Sequence, residues 1–332
     1  MATLSAIRPT LLDLARASDP DGKIAPVVEI LNEVNEMLDD LVFTEGNLPT
    51  GHKTTVRTGI PDPTWRKIYG GVQPTKSTYA QITASCGMLE AYAEVDKALA
   101  DLNGNTGAFR TSEDRAHIEG MSQEVQRAFF YESEATNPER ITGLAPHYNS
   151  TTANNGDNVL KAGGAGTDNA SVWLIVWGEN TITGITPKGS KTGLQIKDLG
   201  EVTAENIDGS NGRAQIYRTH YRWDVGLAVR DWRYAVRICN IDKSLLTKDA
   251  STGADLTAFM DDAIERIPSL SAGRAAFYMN RTVKSYLTKQ MKNAVKNSTL
   301  TMEQLQGKPV MMYSGIPIRR VDQLAADEAL VS

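Results

Sequence analysis

The amino-acid sequence predicts an α+β fold, and three stretches carry that reading. Residues 275–279 form a short apolar run that leads into a helix, and a turn at 305–309 leads into a second strand, Val310-Met311-Met312, which Ser314-Gly315 breaks and Ile316-Pro317-Ile318 restarts. Residues 213–241 concentrate β-branched and aromatic side chains, as long strands do. Residues 112–135 read as a long helix whose apolar positions, Ile118, Met121, Val125 and Phe129, lie at gaps of three and four. Strand, amphipathic helix and paired short strands make a compact α+β layer.

Composition sets the outer limits. The chain has 332 residues, room for two domains or one elaborated domain, and 41% hydrophobic against 23% charged residues supply an ordinary core and a polar surface. A net charge of −5 argues against a dedicated nucleic-acid binder, which carries a basic excess. Cys86 and Cys239 are far apart, so neither a disulfide framework nor a zinc spacing exists, and both are expected to stay reduced. Met1-Ala2-Thr3-Leu4 lacks the basic and apolar blocks of a signal peptide, and no apolar run approaches the ~20 residues that span a bilayer.

In chain order, residues 1–25 carry a weak amphipathic patch, Leu11, Leu12 and Leu14, followed by the turn-like Asp19-Pro20-Asp21-Gly22. A helix is expected over 26–43, where Pro26 suits a first turn and Val27, Ile30, Leu31, Val34, Met37, Leu38 and Leu41 form one stripe. It reads as a core helix or as an arm on a neighbour, and the loose segment before it slightly favours the arm. Residues 49–84 read as a long hairpin. Thr54, Val56 and Thr58 share one strand face, Pro61 and Pro63 forbid a central strand, Gly70-Gly71 turns the chain, and 77–83 alternates again. A hairpin with so few large apolar residues is marginal alone, so it must lie on its own domain or on another copy.

A helix over 85–102 is expected from Met88, Leu89, Tyr92, Val95, Leu99 and Leu102. The helix over 112–135 follows, with Thr111-Ser112-Glu113-Asp114 offering caps and Asn137-Pro138 stopping it; its narrow stripe suits a surface strut. Residues 149–171 are polar and glycine-rich and read as a loop. Short strands are expected at 172–177, 181–186 and 194–196. Two long strands are expected within 213–241, with Gly226 as the bulge or turn between them. A helix over 255–267 ends at Pro268, and Asn280 caps the next one, with Val283, Tyr286, Leu287, Met291, Ala294 and Val295 on one face.

The motifs that imitate chemistry fail on context. Gly163-Gly164-Ala165-Gly166 is not followed by a helix pattern, so it reads as a loop and not as a phosphate cradle. In the stretch 184–192, Ser190 separates Gly189 from Lys191, and strand-like Leu194-Gln195-Ile196 stands where a P-loop helix would begin. His52, His117, His147 and His220 occupy unrelated elements, so no metal ligand set forms, and no Gly-x-Ser-x-Gly elbow occurs. No catalytic residue, cofactor or metal is expected. Arg213, Arg218, Arg222, Arg230, Arg233 and Arg237 alternate with Tyr and Trp along the long strands. That pattern fits a nucleic-acid stacking platform or ion pairing between strands or subunits. Asp224, Asp231 and the acidic total favour the ion pairs.

The order of a loose arm, a long hairpin, a narrow-striped helix, long paired strands and a strand–helix–strand layer resembles the major capsid proteins of tailed bacteriophages, with the Hong Kong 97-like fold. Residues 49–84 resemble the family's extended loop, and residues 112–135 its spine helix, with Ile141-Thr142-Gly143-Leu144 resembling the Gly-Leu turn after it. Phe277-Tyr278-Met279-Asn280-Arg281 and Leu305-Gln306-Gly307-Lys308-Pro309-Val310 resemble the axial domain. The nearest resemblance is to short-tailed phages of the Bordetella-phage type. In many members the long peripheral strands follow the Gly-x-Pro-Val segment. Here they precede it, which implies permuted connections.

The resemblance implies an arm over 1–48, an extended hairpin loop over 49–84, a peripheral domain with spine helix over 85–148, and loop and strands of an axial domain or insertion over 149–200. Long peripheral strands follow over 201–250 and an axial domain over 251–332. It implies a non-enzymatic subunit, made in the host cytoplasm, that assembles with itself as hexamers and pentamers into an icosahedral head around double-stranded DNA, without sequence-specific binding or a membrane. Scaffolding, portal and cement proteins are the further partners implied. The alternatives are another virion protein, such as a tail-tube or decoration subunit, or a nucleotide-binding or hydrolytic enzyme. Intersubunit contacts are expected from Trp65 and Tyr69 by packing, from Arg66 and Lys67 by pairing with carboxylates, and from Arg230 and Arg233 by ion pairs. Some members lock the extended loop to a neighbour through a lysine and an asparagine. Lys53, Lys67 and Lys76 are candidate donors, but no acceptor is identifiable, so non-covalent contacts are expected.

Overall fold

A computed structural model describes residues 9, 36–104, 106–205, 212–293, 300–305 and 308–332. Nearly all of the expected arm patch and most of the expected helix over 26–43 lie outside them. The described part departs from that helix: only α1 (Met37–Asp40) is helical, and Leu41 turns extended. Phe43, the last expected helical residue, begins β1 (Phe43–Glu45), which pairs in parallel with residues 184–186. Main-chain bonds from Gly184 N to Val42 O and from Gly46 N to Thr186 O secure that pairing, which a helix through Phe43 would forfeit.

β2 (Gly51–Gly59) and β3 (Thr78–Asp96) form the expected antiparallel hairpin, in register from Gly51 opposite Ser85 to Arg57 opposite Tyr79, with a shift before Gly59 opposite Thr78. The expected helix over 85–102 does not form. β3 continues to Asp96, and only α2 (Lys97–Ala100) is helical, its first turn capped by the Asp96 carboxylate accepting from Ala98 N at 2.8 Å. The sequence satisfies both periods: Ala93 and Val95, two apart, are buried, while Met88 and Tyr92 of the supposed helical stripe are 68% and 51% exposed. Strand partners on either side of β3 select the extended form.

α3 (Thr106–Tyr131) begins six residues before the expected start, because Phe109 is drawn into a small core with Val95, Leu99 and Ala100. The expected caps at 111–114 therefore lie inside the helix. Gly143 precedes α4 (Leu144–His147) and must be glycine: a Cβ there would stand 2.5 Å from the carbonyl oxygen of Ala128. The expected loop 149–171 contains β4 (Val159–Lys161), whose apolar residues pair with strand residues 237–239, and runs into β5 (Asn169–Trp177). β6 (Ile182–Thr186) and β7 (Gln195–Glu205) follow, the latter much longer than the expected 194–196 because it pairs along β8 (Arg213–Val229) from Gln195–Arg222 to Glu205–Arg213. β9 (Ala235–Asp242) follows a single 3₁₀ turn over 232–234. The break between the two long strands thus lies at 230–234 and not at Gly226. Gly226 sits inside β8 for a packing reason, since a Cβ would meet the carbonyl oxygen of Ser85 at 2.6 Å.

α5 (Leu256–Arg266) is capped by Asp255, whose carboxylate accepts from Thr257 N and Ala258 N. β10 (Arg274–Met279) leads to α6 (Arg281–Asn293), where Asn280 Oδ1 accepts from Thr282 N at 2.9 Å, the cap that the sequence announces. β11 (Leu300–Leu305), β12 (Lys308–Tyr313) and β13 (Ile316–Arg320) close the chain as antiparallel neighbours, turning at Ser314-Gly315. β10 and β13 are parallel, which α6 makes possible as part of the crossover.

The chain divides into two compact units, one holding 88–126 and 193–224, the other 35–87, 127–192 and 225–332. In the larger unit, α5 and α6 cover one sheet face over Leu174, Val176, Val236, Ile238, Phe277 and Ile318. Its other face holds an aromatic layer: Trp173 lies 6.0 Å from Phe130 and 5.8 Å from Tyr148 between ring centroids, and Trp177 donates to the Tyr278 hydroxyl at 2.7 Å. Among the described residues no helix is long and apolar enough to cross a membrane.

One buried ion pair lies beside that layer. Arg237 reaches Glu328 at 2.7 Å and also donates to Ser171 Oγ and Tyr148 O, while the Tyr131 hydroxyl donates to Glu328 at 2.6 Å. Removing one partner of such a pair leaves the other charged and dry, at a cost of about 3–5 kcal/mol. Glu328→Ala is therefore expected to destabilise the dispersed subunit by about that amount. Urea denaturation followed by tryptophan fluorescence measures it; a loss under about 1 kcal/mol would mean that Arg237 finds water or another partner.

Candidate functional site

Among the described residues, chemistry-bearing side chains do not converge. Among the described residues no group of three or more His, Cys, Asp or Glu could hold a metal ion. His220 meets Glu90 at 3.2 Å and stacks on Tyr92, while His117 stacks on Tyr221. The proton affinity of His52 is lowered first by burial and then by Arg230, and that of His147 by burial. At the P-loop-like stretch, Gly184 lies within β6, and the Gly189 amide donates to the Glu45 carboxylate at 2.8 Å. A carboxylate already holds the donor that a phosphate would need. At the other glycine cluster, a Cβ on Gly166 would meet carboxylate oxygens of Asp168 and Asp242 at 2.9 Å, surroundings that repel phosphate.

The distinctive surface is the tip of the β2–β3 hairpin. Residues 60–77 leave the ladder and carry no strand structure. Gly70 N donates to Lys67 O, and Tyr69 takes φ +62°, a left-handed conformation that costs a non-glycine residue about 1–2 kcal/mol. Trp65 and Tyr69 are fully exposed, and Ile60 and Ile68 are each 82% exposed. Arg66 and Lys67 stand among them, so all four expected loop contact residues are presented together. At the root of the tip, Arg57 donates to the Tyr79 hydroxyl at 3.1 Å with its guanidinium 5.3 Å above the ring, and the hydroxyls of Thr58 and Thr78 lie 3.0 Å apart. The hairpin is braced at its base and bare at its end.

The arginines of the long strands pair within the chain. Arg218 meets Glu94, Arg222 meets Asp224 at 2.9 Å, Arg213 meets Glu205 at 2.9 Å, and Arg237 meets Glu328. Arg233 holds Asp231 with two bonds, 3.0 and 2.7 Å. Arg230 differs: its main-chain amide donates to Thr181 O, but its side-chain Nε is buried without a hydrogen-bond partner. A buried donor left unmatched costs about 1–3 kcal/mol. Arg230 and Arg233, two of the expected contact residues, therefore differ in kind. Sequence reasoning missed the exposed Met88 and Tyr92 by placing them on a helical stripe; the polar residues alternating with them, Glu90 and Glu94, were the available signal.

A family model described as major capsid protein GP7 matches residues 19–332. A chain of the cryo-EM structure of bacteriophage Epsilon15 is 38% identical, with 100% of each chain covered and a TM-score of 0.79. The capsid of bacteriophage JBD30 matches at 9% identity over 96% of this chain and 99% of that one, with a TM-score of 0.45. The capsid of a native GTA particle matches at 10% identity over 65% and 92%, with a TM-score of 0.42. No curated protein matches.

The bare tip predicts where a protease enters. Brief trypsin treatment of dispersed subunits is expected to cut first after Arg66 or Lys67, read by intact mass. First cuts elsewhere, with 60–77 intact, would show that the tip is covered within its own subunit.

Proposed function

The chain belongs to the major capsid protein GP7 family, and from that premise we propose that it builds an icosahedral phage head, through hexamers and pentamers, around double-stranded DNA. Its fold is the α+β Hong Kong 97-like capsid fold, and its role is that of a structural capsid subunit, not an enzyme. Family membership sets aside the tail-tube, decoration and enzyme alternatives. Within the family we read the chain as nearest to the heads of short-tailed phages of the Bordetella-phage type, on sequence motifs alone. Synthesis in the host cytoplasm, joint assembly with scaffolding, portal and cement proteins, and enclosure of DNA without sequence-specific contacts complete the reading. Residues 49–84 act as the extended loop, 85–148 with 201–250 as the peripheral part and 251–332 as the axial part.

The observation that carries the assembly reading is the hairpin tip. Trp65, Ile68 and Tyr69 gain nothing from folding where they stand. Burying a large apolar side chain is worth about 1.5–3 kcal/mol, and a second copy is the partner present at the highest concentration. Exposed ion pairs from Arg66 and Lys67 add about 0–1 kcal/mol each, and a closed symmetric shell repeats each contact many times. Replacing Pro61 through Gly71 by a short Gly-Ser link is expected to leave a folded subunit that forms no stable shells in negative-stain microscopy. Normal particles from that variant would refute the intersubunit role, and multimer ladders on boiled, reduced gels would refute the non-covalent one.

Arg230 and Arg233 are tested beside it. Replacing both with Ala is expected to lower shell yield and leave nonspecific DNA affinity unchanged, with Arg230→Ala carrying most of the effect because Arg233 is already held by Asp231. Normal assembly with collapsed DNA affinity would favour the nucleic-acid platform instead.

A further inference from the structure

The glycine-rich turn between β4 and β5 meets the end of β9, and oxygen atoms close in on it there. Asp168 Oδ1 and Asp242 Oδ2 each stand 2.9 Å from the point a Cβ on Gly166 would occupy, so the two carboxylates face one another where Gly166 has no side chain. The other oxygen of Asp242 is engaged: Ser244 N donates to Oδ1 at 3.0 Å, Ser244 Oγ at 2.6 Å and Leu245 N at 3.3 Å. These bonds, that of the Ser244 hydroxyl foremost, hold the Asp242 carboxyl below the usual carboxylate range, so it is ionised at neutral pH. Among the described residues neither carboxylate makes an ion pair. Lys243, next to Asp242 in the chain, donates its ammonium to Ala326 O at 2.9 Å instead. Asn169 gives a second, independent sign. It is wholly buried, and its amide reaches the same turn from below. Its Nδ2 donates to Gly166 O at 2.6 Å, while its Oδ1 lies 2.9 Å from where a Cβ on Gly164 would stand and has no hydrogen-bond donor. That same point is 2.8 Å from Asp242 N, so both missing side chains open toward Asp242. A buried carbonyl oxygen with no partner calls for one.

We infer that this turn is a calcium site, with the carboxylates of Asp168 and Asp242 and the side-chain oxygen of Asn169 as its protein ligands. Water completes the shell from the side of Ala165 and Thr167, which are exposed. The donors select the ion. All are oxygen, which suits a hard cation and not zinc or copper. Calcium takes about six to eight oxygens in an adaptable arrangement that mixes carboxylates, amide oxygens and water, whereas magnesium demands a regular octahedron. A divalent cation turns the repulsion between Asp168 and Asp242 into a bridge and gives Asn169 Oδ1 the partner it lacks. It also ties the β4–β5 turn to the end of β9 beside the C-terminal segment, since Asn169 O accepts from Glu328 N at 2.8 Å. Two carboxylates and an open mouth place the affinity in the weak range of extracellular modules, a Kd of about 10⁻⁴–10⁻³ M. Asp242 lies far from Asp168 and Asn169 in the chain, so no spacing in the sequence announces the set.

Full-length dispersed subunits, stripped with chelator and titrated with calcium chloride in a calorimeter, test it. One calcium ion per subunit is expected to bind, and the melting temperature to rise with calcium concentration, because only the folded chain presents the site. Magnesium at the same concentration is expected to raise it less. Asp168→Asn is expected to weaken calcium binding roughly tenfold or more. Asp242→Asn, which keeps an oxygen for Ser244 and Leu245, is expected to do the same. In chelator Asp168→Asn is expected to melt no lower than the wild type, because it removes one of two like charges. Asp249→Asn, in a turn where that carboxylate accepts from Ser251, is expected to leave calcium affinity unchanged. Absence of binding heat together with an unmoved melting temperature would overturn the site. An equal calcium response from wild type and Asp168→Asn would place the ion elsewhere and overturn it too. A magnesium response as large as that of calcium would overturn the choice of ion. A lower melting temperature for Asp168→Asn in chelator, with calcium affinity unchanged, would give the carboxylates to the fold alone.

Discussion

Strand β5 has neither a face nor an edge left for water. All nine of its residues are buried, and its two edges carry β9 and β10 in antiparallel register. Val172, Leu174 and Val176 point into the layer that α5 and α6 cover, while Trp173 and Trp177 point the other way into the aromatic layer. A strand that is apolar on both faces requires cover on both. One requirement thus explains the two helices on one side and Phe130, Tyr148 and Tyr278 on the other. The neighbouring strands then fall into order around it, with β13 beside β10 and β6 meeting β5 at Trp177.

Such dense burial leaves little tolerance for stray polar groups. Arg237 stands opposite Trp173 in the β5–β9 register, its guanidinium 5.2 Å above the indole, and can be held there only because Glu328, Ser171 and the Tyr148 carbonyl accept its protons. Glu328 comes from the C-terminal segment, which is bound by its main chain as well: its amide donates to Asn169 O, and Val331 exchanges two bonds with the Asn240 side chain. Asn240 sits at φ +57°, a conformation Asn tolerates better than most residues. The charge network and the tail are therefore one device, since the sheet needs the carboxylate and the carboxylate arrives only when the tail is docked.

The hairpin tip follows the opposite logic. Its root is fixed by the β2–β3 ladder and the Arg57–Tyr79 contact, and its apolar residues stay in solvent. Exposed apolar area does not stabilise the subunit that carries it. It contributes only when a second surface covers it, so the gain depends on concentration and geometry, as any association does. Contacts that are weak one by one suffice when a closed assembly makes each of them many times. The subunit thus buries its apolar residues in the interior and leaves Trp65, Ile68 and Tyr69 exposed on a braced projection.

What the sequence by itself determined are the features whose causes are local. The Asn280 cap, the stripe of Val283, Tyr286, Leu287 and Met291 on α6 (Ala294 and Val295 lie outside the described residues), the apolar run 172–177 within β5 and the turn at Ser314-Gly315 need only neighbours a few residues away, and each stands where the sequence places it. The exposure of Trp65, Arg66, Lys67 and Tyr69 was legible for the same reason, because prolines and paired glycines bar the tip from a ladder. Tertiary structure decided whatever depended on a distant partner. Residues 85–96 fit both a helix and a strand, and Arg218, 124 positions from Glu94, is among the partners that hold them extended. The true role of Gly226 and the pairing of Arg218 and Arg237 were likewise set by residues far away in the chain. Period and propensity report what a segment can do, and the partner it finds decides which of those it does.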